Sequence, residues 1–177
     1  MRKVALITDG WRRLFTYAWP AGILQRIRET GEDVNLYIFN STGNWSRDAG
    51  YNRAEYNIYN LPELSDFDGI ILELNNISSP AVLADVISNA KRSGRPVVSI
   101  ANELGDFYYV GIDNYSAMKQ VIAHLHEVHD CKKFWLLVGA QDNYESSCRL
   151  QGMLDYAKEH KLSLIHISEP TRLRRIS

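Results

Sequence analysis

The chain has 177 residues, 45% of them hydrophobic, with 20 basic and 21 acidic side chains and a formal net charge of −1. This composition excludes a wholly disordered chain, and the balanced charge gives no indication of a nucleic-acid-binding surface. No apolar run approaches the roughly 18 residues of a membrane span, and no secretion signal precedes the isolated thiols of Cys131 and Cys148. We therefore expect a cytoplasmic protein with reduced thiols and no membrane contact.

Six short apolar runs, several of them rich in β-branched residues, predict strands that alternate with helical patterns. Their positions are residues 3–8, 34–39, 69–74, 96–100, 108–110 and 134–138. The first run is continuous, which is typical of a strand that is buried on both faces. This alternation predicts an α/β fold with a doubly wound parallel sheet, in which ligands bind at the carboxyl ends of the strands.

Four helices are predicted among these strands. The N-caps of the first three are Thr16, Ser79 and Asn114. Pro20 would lie at the fourth position of the first helix, and Pro80 would open the second. The fourth helix is predicted over residues 145–160, whereas residues 40–53 are polar and aromatic and are predicted to be irregular.

The sequence motifs of common enzyme classes are absent. Neither GxxxxGK[ST] nor GxGxxG occurs, and Trp11 stands where the second motif would follow the first strand. No GxSxG motif occurs. His124 and His126 point to different faces of a predicted helix, which is unfavourable for a metal site. We therefore expect no catalytic site, no cofactor and no metal. An unrecognised doubly wound enzyme is the least favoured alternative.

An ordered set of short motifs lies in the second half of the chain. The sequence VGIDN at residues 110–114 is followed by a helix with HL at residues 124–125, a basic pair, an apolar strand and RLQGM at residues 149–153. In this order the motifs resemble those of the effector-binding domain of the lactose repressor family. The resemblance covers residues 3–161 and implies a type I periplasmic-binding-protein-like fold.

The resemblance also implies how the chain is divided. Residues 1–111 would form the N-terminal lobe, and residues 112–161 would begin a C-terminal lobe that is truncated. A hinge is expected at Gly111 and Asp113, and Asp113 is expected to cap a helix or hold the hinge rather than touch ligand. Ligand binding would then signal through closure of the two lobes.

The chain departs from the family pattern in two respects that bear on function. Ser116 and Ala117 replace a glycine pair, and Met1 stands directly before the first strand, where repressors of this family carry a DNA-binding headpiece. The fragment is therefore expected to contact no nucleic acid. Residues 43–48 and 55–64 are similar to sensors that are fused to a GGDEF diguanylate cyclase. A cyclase sensor and a repressor without its headpiece both remain open, and a homodimer is expected for the full-length parent.

Candidate ligand contacts follow from the strand ends and from the resemblance. Aromatic rings after the first strand suit the faces of sugars or purines, and amide and carboxylate groups after later strands suit hydroxyl groups. Arg149 matches the arginine with which the family contacts its effector. The candidate ligand-binding residues are Trp11, Phe15, Asn75, Asn102, Glu103, Asp142 and Arg149. A sugar or nucleoside effector is expected, although turn formation, core packing and surface ion pairing remain open for individual members.

The last residues are expected to be foreign to the fold. LSLIHISEPTR, residues 162–172, resembles one translated frame of a transposon mosaic-end sequencing adapter. The resemblance implies that residues 162–177 form a non-native tail and that the native sequence ends near Lys161. Such a tail is expected to pack poorly.

Overall fold

The computed structural model describes residues 1–10, 13–42, 46–75, 77, 79–139 and 143–168, without the side chains of residues 13–16 and 166–168. The chain divides into two compact units. We call Met1–Gly111 unit 1 and Ile112–Ser177 unit 2.

Unit 1 is built on a five-stranded parallel sheet with the strand order β2–β1–β3–β4–β5. The strands are β1 (Arg2–Asp9), β2 (Val34–Ser41), β3 (Gly69–Glu73), β4 (Val97–Ile100) and β5 (Tyr108–Val110). The connecting helices are α1 (Arg13–Thr30), α2 (Ala49–Glu55) and α3 (Pro80–Arg92), with 3-10 helices at Tyr56–Asn60 and Leu64–Asp66. Parallel strands joined by helices form the doubly wound α/β arrangement, which confirms the predicted fold class.

Strand β1 lies at the centre of the unit 1 core. Ala5, Leu6 and Ile7 are almost inaccessible to solvent. Burial on both faces explains the uninterrupted apolar sequence and confirms the prediction made from it. Ala5 and Ile7 belong to a core cluster that includes Tyr56 and Tyr59 of the first 3-10 helix.

The start of α1 differs from the prediction. The helix begins at Arg13, so Thr16 lies inside it instead of capping it, and Pro20 is at the eighth position instead of the fourth. A proline at this depth lacks the N–H that would bond to the carbonyl group of Thr16. Pro20 is buried, and the apolar area of its ring that is removed from water offsets part of that loss.

A short helix, α2, occupies part of the segment that was predicted to be irregular. Asp48 is its N-cap, and Oδ1 of Asp48 accepts hydrogen bonds from the backbone N–H groups of Gly50 at 2.7 Å and Tyr51 at 3.3 Å. These bonds satisfy N–H groups that have no partner within the helix. Asp48 is therefore the residue that indicates the start of this helix. The polar and aromatic residues around it are equally typical of an irregular segment.

Unit 2 contains α4 (Asn114–Glu127), β6 (Lys133–Val138), α5 (Tyr144–Glu159) and β7 (Ser163–Ser168). Its core is formed by Ile122, Phe134, Met153 and Tyr156. Helices α4 and α5 approach closely at Gly152, where an added Cβ would lie 2.3 Å from the carbonyl oxygen of Tyr115. The glycine of the RLQGM motif is thus a requirement of helix packing.

Strand β7 forms within the segment that was expected to pack poorly, with Leu164 half-buried and Ile165 exposed. It pairs in parallel with β6 over six residues, from Lys133↔Ser163 to Val138↔Ser168. Leu162 and Leu164 also pack against the unit 2 core. The alternating apolar sequence of this segment suits an edge strand, and β6 offers it a parallel partner. Residues 169–177 lie outside the described part of the chain.

Candidate ligand-binding site

The carboxyl ends of β1 and β3 bring two acidic side chains into the interior of unit 1. Glu73 ends β3 opposite Thr8 in the parallel register, and Asp9 is the next residue of β1. Asp9 is 3% exposed and Glu73 is 6% exposed. Oγ1 of Thr8 donates a hydrogen bond to Oε2 of Glu73 over 2.8 Å. Two buried acidic side chains therefore mark the carboxyl end of the strands, where α/β sheets bind ligands.

The carboxyl group of Asp9 is held in an environment that disfavours its charged form. Burial raises the pKa of the Asp9 carboxyl to about 7, and repulsion from the charge of Glu73 adds to the increase. Asp9 therefore ionises less readily than an exposed aspartate.

Two tyrosines of the first 3-10 helix lie near the carboxyl end of β1. The hydroxyl group of Tyr59 donates to the backbone oxygen of Thr8 over 3.0 Å. Burial raises the pKa of Tyr56 to about 12 and also raises that of Tyr59, and the charge of Asp9 contributes to both increases. Among the described residues, the buried hydroxyl of Tyr56 and the side-chain oxygen of Asn40 have no hydrogen-bond partner. This edge thus retains polar groups that can bind a water molecule or a ligand.

Three candidate ligand contacts lie in the loops that follow β3 and β4. Asn75 is half-buried in the turn after β3. Asn102 is half-buried after β4, where its backbone oxygen accepts a short hydrogen bond from the hydroxyl of Ser99, and the next residue, Glu103, is exposed. Because β3 and β4 are paired in parallel, the loops that follow them leave the sheet at the same end, the carboxyl end of the strands.

The other candidates of the first lobe are less fully defined. Trp11 lies outside the described residues, and only the helical backbone of Phe15, in α1, is described. The assignment of both to the ligand site stays a prediction.

Arg149 lies in α5 of unit 2. Its Nη1 donates to Oδ1 of Asn114 over 3.1 Å, and Nδ2 of the same asparagine donates to Oε1 of Glu145 over 3.5 Å. Asn114 is buried at the first residue of α4. The arginine therefore links α5 to the N-terminus of α4, and this link does not depend on a ligand.

The residues expected at the hinge occupy the boundary between the units. Unit 1 ends at Gly111. Asp113 is the N-cap of α4: its Oδ1 accepts a hydrogen bond from the backbone N–H of Ser116 at 2.9 Å, and this bond lowers the pKa of the carboxyl. Asp113 therefore takes the capping position that was assigned to Asn114. Asp142 lies outside the described residues, so its place at the site stays a prediction.

Glu73, Tyr56 and Tyr59 were not among the residues predicted from the sequence to lie at the site. A glutamate inside the apolar run of β3 was the available signal, because a charged residue is seldom buried without a specific partner. The two tyrosines gave no comparable signal, since their spacing is equally typical of ordinary helix packing. The position of the two tyrosines beside the end of β1 depends on how the strands and the 3-10 helix pack together, which no local pattern of the sequence indicates.

Within the described part of the chain, no group of three or more histidine, cysteine, aspartate or glutamate side chains is arranged to hold a metal ion. His126 instead contacts Tyr156, with 3.3 Å between Nδ1 and the tyrosine oxygen. None of the helices described is both long enough and apolar enough to span a membrane.

No protein-family model and no curated protein matches the sequence. Solved structures do match it. A periplasmic binding protein/LacI transcriptional regulator from Alkaliphilus metalliredigens, complexed with D-xylulofuranose, is 18% identical with a TM-score of 0.65, over 96% of this chain and 57% of that one. A periplasmic solute-binding protein from Actinobacillus succinogenes with bound D-allose is 15% identical with a TM-score of 0.68, over 95% of this chain and 59% of that one. The transcription regulator CcpA of Lactococcus lactis is 18% identical with a TM-score of 0.65, over 94% of this chain and 58% of that one.

These similarities define the class of fold. The chain has the type I periplasmic-binding-protein-like fold that LacI-family regulators and periplasmic sugar-binding proteins share, as the motifs of the second half implied. It spans 57–59% of the length of these three neighbours. By their descriptions, the neighbours are binding proteins and regulators.

Proposed function

We propose that this chain is a small-molecule sensor domain of a cytosolic bacterial signalling or gene-regulatory protein, that it binds a sugar-like effector and that it has no enzymatic activity of its own. The observation that carries this proposal is the type I fold combined with polar side chains at the carboxyl ends of the unit 1 strands. Neighbours of the same fold were solved with D-xylulofuranose and D-allose.

The chemistry of the loops after β3 and β4 supports a polyhydroxylated ligand. Asn75 and Asn102 carry amide groups that both donate and accept hydrogen bonds, and Glu103 supplies an acceptor. Adjacent hydroxyl groups of a sugar need this mixture of donors and acceptors. Trp11 and Phe15 are proposed to contribute ring faces, and Asp142 and Arg149 further polar contacts.

Signalling is proposed to operate through the boundary between the units. Residues 1–111 and 112–161 would move as lobes about Gly111 and Asp113 when the effector binds, with residues 162–177 as a tail. The separation of two compact units at residues 111 and 112 supports this proposal. The output of such a movement belongs to the full-length parent, for which a homodimer is proposed.

Two parents are compatible with this role. One is a LacI-family regulator with a DNA-binding headpiece, and the other is a protein with a GGDEF diguanylate cyclase segment. The regulator CcpA among the neighbours favours the first. Reading the genomic DNA on both sides of the gene segment separates them, because a headpiece would be encoded upstream and a GGDEF segment downstream.

Titration calorimetry of the purified chain tests the proposed function. D-xylulose and D-allose serve as sugars, adenosine as a nucleoside, and sodium glutamate as a charged metabolite without hydroxyl groups. We expect saturable binding of at least one sugar and no binding of glutamate. A folded protein, by circular dichroism, that binds neither sugar nor nucleoside at millimolar concentration would contradict the proposal.

A further inference from the structure

A cavity of about 290 Å³ lies at the amino ends of β4 and β5 in unit 1, where α3 ends, and we call it the amino-end cavity. Ala90 of α3, Val97 of β4 and Phe107 before β5 are among its lining residues. Ala90 and Val97 are buried members of the unit 1 core, and Phe107 packs against that core. The apolar part of the lining is therefore held in place by core packing.

Two cationic side chains, Lys91 and Arg95, also line the amino-end cavity. Nζ of Lys91 lies 5.8 Å from the centre of the Phe107 ring, a distance at which a cation and an aromatic face attract each other. It lies 3.9 Å from Oδ2 of Asp106, whose side chain is 99% exposed, so water screens this ion pair strongly. Two cations and one carboxylate leave the lining with a net positive charge.

The guanidinium group of Arg95 is held in place by the protein itself. Its Nε and Nη2 both donate to the backbone oxygen of Ser65, over 2.9 Å and 2.6 Å. Among the described residues, none accepts a hydrogen bond from Nη1 of this arginine. A cation that is already fixed loses little side-chain entropy when it binds an acceptor. Arg95 is therefore suited to bind an anionic group in the cavity.

We propose that the amino-end cavity binds a small monoanion with one aromatic ring, of the chemical class of the aromatic carboxylates. Phe107 and the 73% exposed Tyr108 supply aromatic surface, and Lys91 and Arg95 bind the carboxylate. The volume is near the lower limit of ligand pockets, roughly 300 Å³, which suits a single ring. Since the strands are parallel, this cavity lies at the opposite end of the sheet from the proposed sugar contacts and does not depend on them.

Titration of the purified chain with sodium benzoate, followed by ¹H–¹⁵N chemical shifts, tests the proposal. Benzyl alcohol matches the ring without the charge, and sodium acetate matches the charge without the ring. We expect saturable shifts at the amides of Val97, Phe107 and Tyr108 with benzoate, and weaker binding of both other compounds. No saturable shift with benzoate, or equal affinity for benzoate and either of the other two, would overturn the proposal. Absence of sugar binding would contradict the proposed function and leave these readouts unaffected.

Variants separate binding from a purely structural role of the lysine, because cations in the last turn of a helix also stabilise the helix. We expect Lys91→Met to weaken benzoate binding at least about threefold, through loss of a charge-assisted contact. Lys132→Met, which removes an exposed lysine of unit 2, is the control and should bind as the wild type does. A lower melting temperature of Lys91→Met with unchanged benzoate affinity would overturn the proposal. If Lys91→Met fails to fold, weaker benzoate binding by Phe107→Leu is the supporting result, and unchanged binding is the contrary one.

Discussion

Arg149 and Asn114 join the two helices of unit 2 through one hydrogen bond of 3.1 Å between Nη1 and Oδ1. The bond reaches a buried asparagine at the first residue of α4. Both residues belong to the motifs that resemble the lactose repressor family. The structure thus gives the arginine a partner within its own unit, whatever it contacts in a ligand.

We expect Arg149→Ala to lower the free energy of unfolding by about 1–2 kcal/mol, because Asn114 would keep a buried oxygen without its charged donor. Urea denaturation measures the change. Arg26→Ala, which removes an exposed ion pair, should change stability by less than about 0.5 kcal/mol. A double variant with Asn114→Ala should be less destabilised than the sum of the single variants. Additive effects would show that the hydrogen bond contributes nothing.

The close approach of α4 and α5 at Gly152 leads to a second prediction. An added methyl group would lie 2.3 Å from the carbonyl oxygen of Tyr115, so the helices must separate or distort. We expect Gly152→Ala to destabilise the chain by about 1–3 kcal/mol, the usual range for overpacking. Gly22→Ala in α1 is the matched control, since an added Cβ there meets nothing within 4 Å among the described atoms. Equal melting temperatures for the two variants would contradict this account of the motif.

Residues 162–177 are where the resemblance to an adapter and the structure give opposite expectations. Strand β7 pairs along β6, and Leu162 and Leu164 contact the unit 2 core. We therefore expect deletion of residues 162–177 to lower the melting temperature. Loss of the contacts of these two leucines alone should lower the free energy of unfolding by about 2 kcal/mol or more. Unchanged or improved stability after the deletion would favour the adapter origin instead.

Much of the fold was predictable from the sequence, for a physical reason. A parallel strand buried on both faces must be apolar throughout, as residues 4–7 are, and Ser79 with Pro80 forms a strong helix start in which Oγ of Ser79 accepts from the N–H of Val82. The start of α1 was not predictable, because a proline is expected only near the beginning of a helix. Pro20 lies deeper in α1 than that, and its burial offsets part of the cost. Local signals carry no information about such tertiary compensation.

The candidate site was predictable only in part. Polar residues after strands, such as Asn75 and Asn102, follow from the general rule for parallel sheets. The hydrogen bond between Thr8 and the buried Glu73 could not be foreseen, since it depends on the register that places Glu73 opposite Thr8. A shift of one residue in that register would turn Glu73 to the other face of the sheet.

An uncovered apolar surface in unit 2 leads to a further prediction. Trp135 and Leu137 on β6 and Ile165 on β7 share one face of the two-stranded sheet, and they are 74%, 84% and 51% exposed. Exposed apolar patches of this kind promote association. We expect light scattering of the purified chain to show self-association that increases with concentration. Leu137→Lys should reduce it, and Lys133→Arg, on the same strand, should not. A monomer at all concentrations would contradict the prediction.

We propose that the loops at the carboxyl ends of the unit 1 strands bind a sugar. The most direct test of this proposal is calorimetric titration of the wild type, Asn75→Ala and Asn35→Ala with the sugar that binds most tightly. Asn35 lies on β2 near the opposite end of the same sheet, opposite Lys3. Loss of one well-formed hydrogen bond predicts a weakening of about 0.5–1.5 kcal/mol for Asn75→Ala and none for Asn35→Ala. Equal sugar affinities for all three proteins, with all three folded, would contradict the claim.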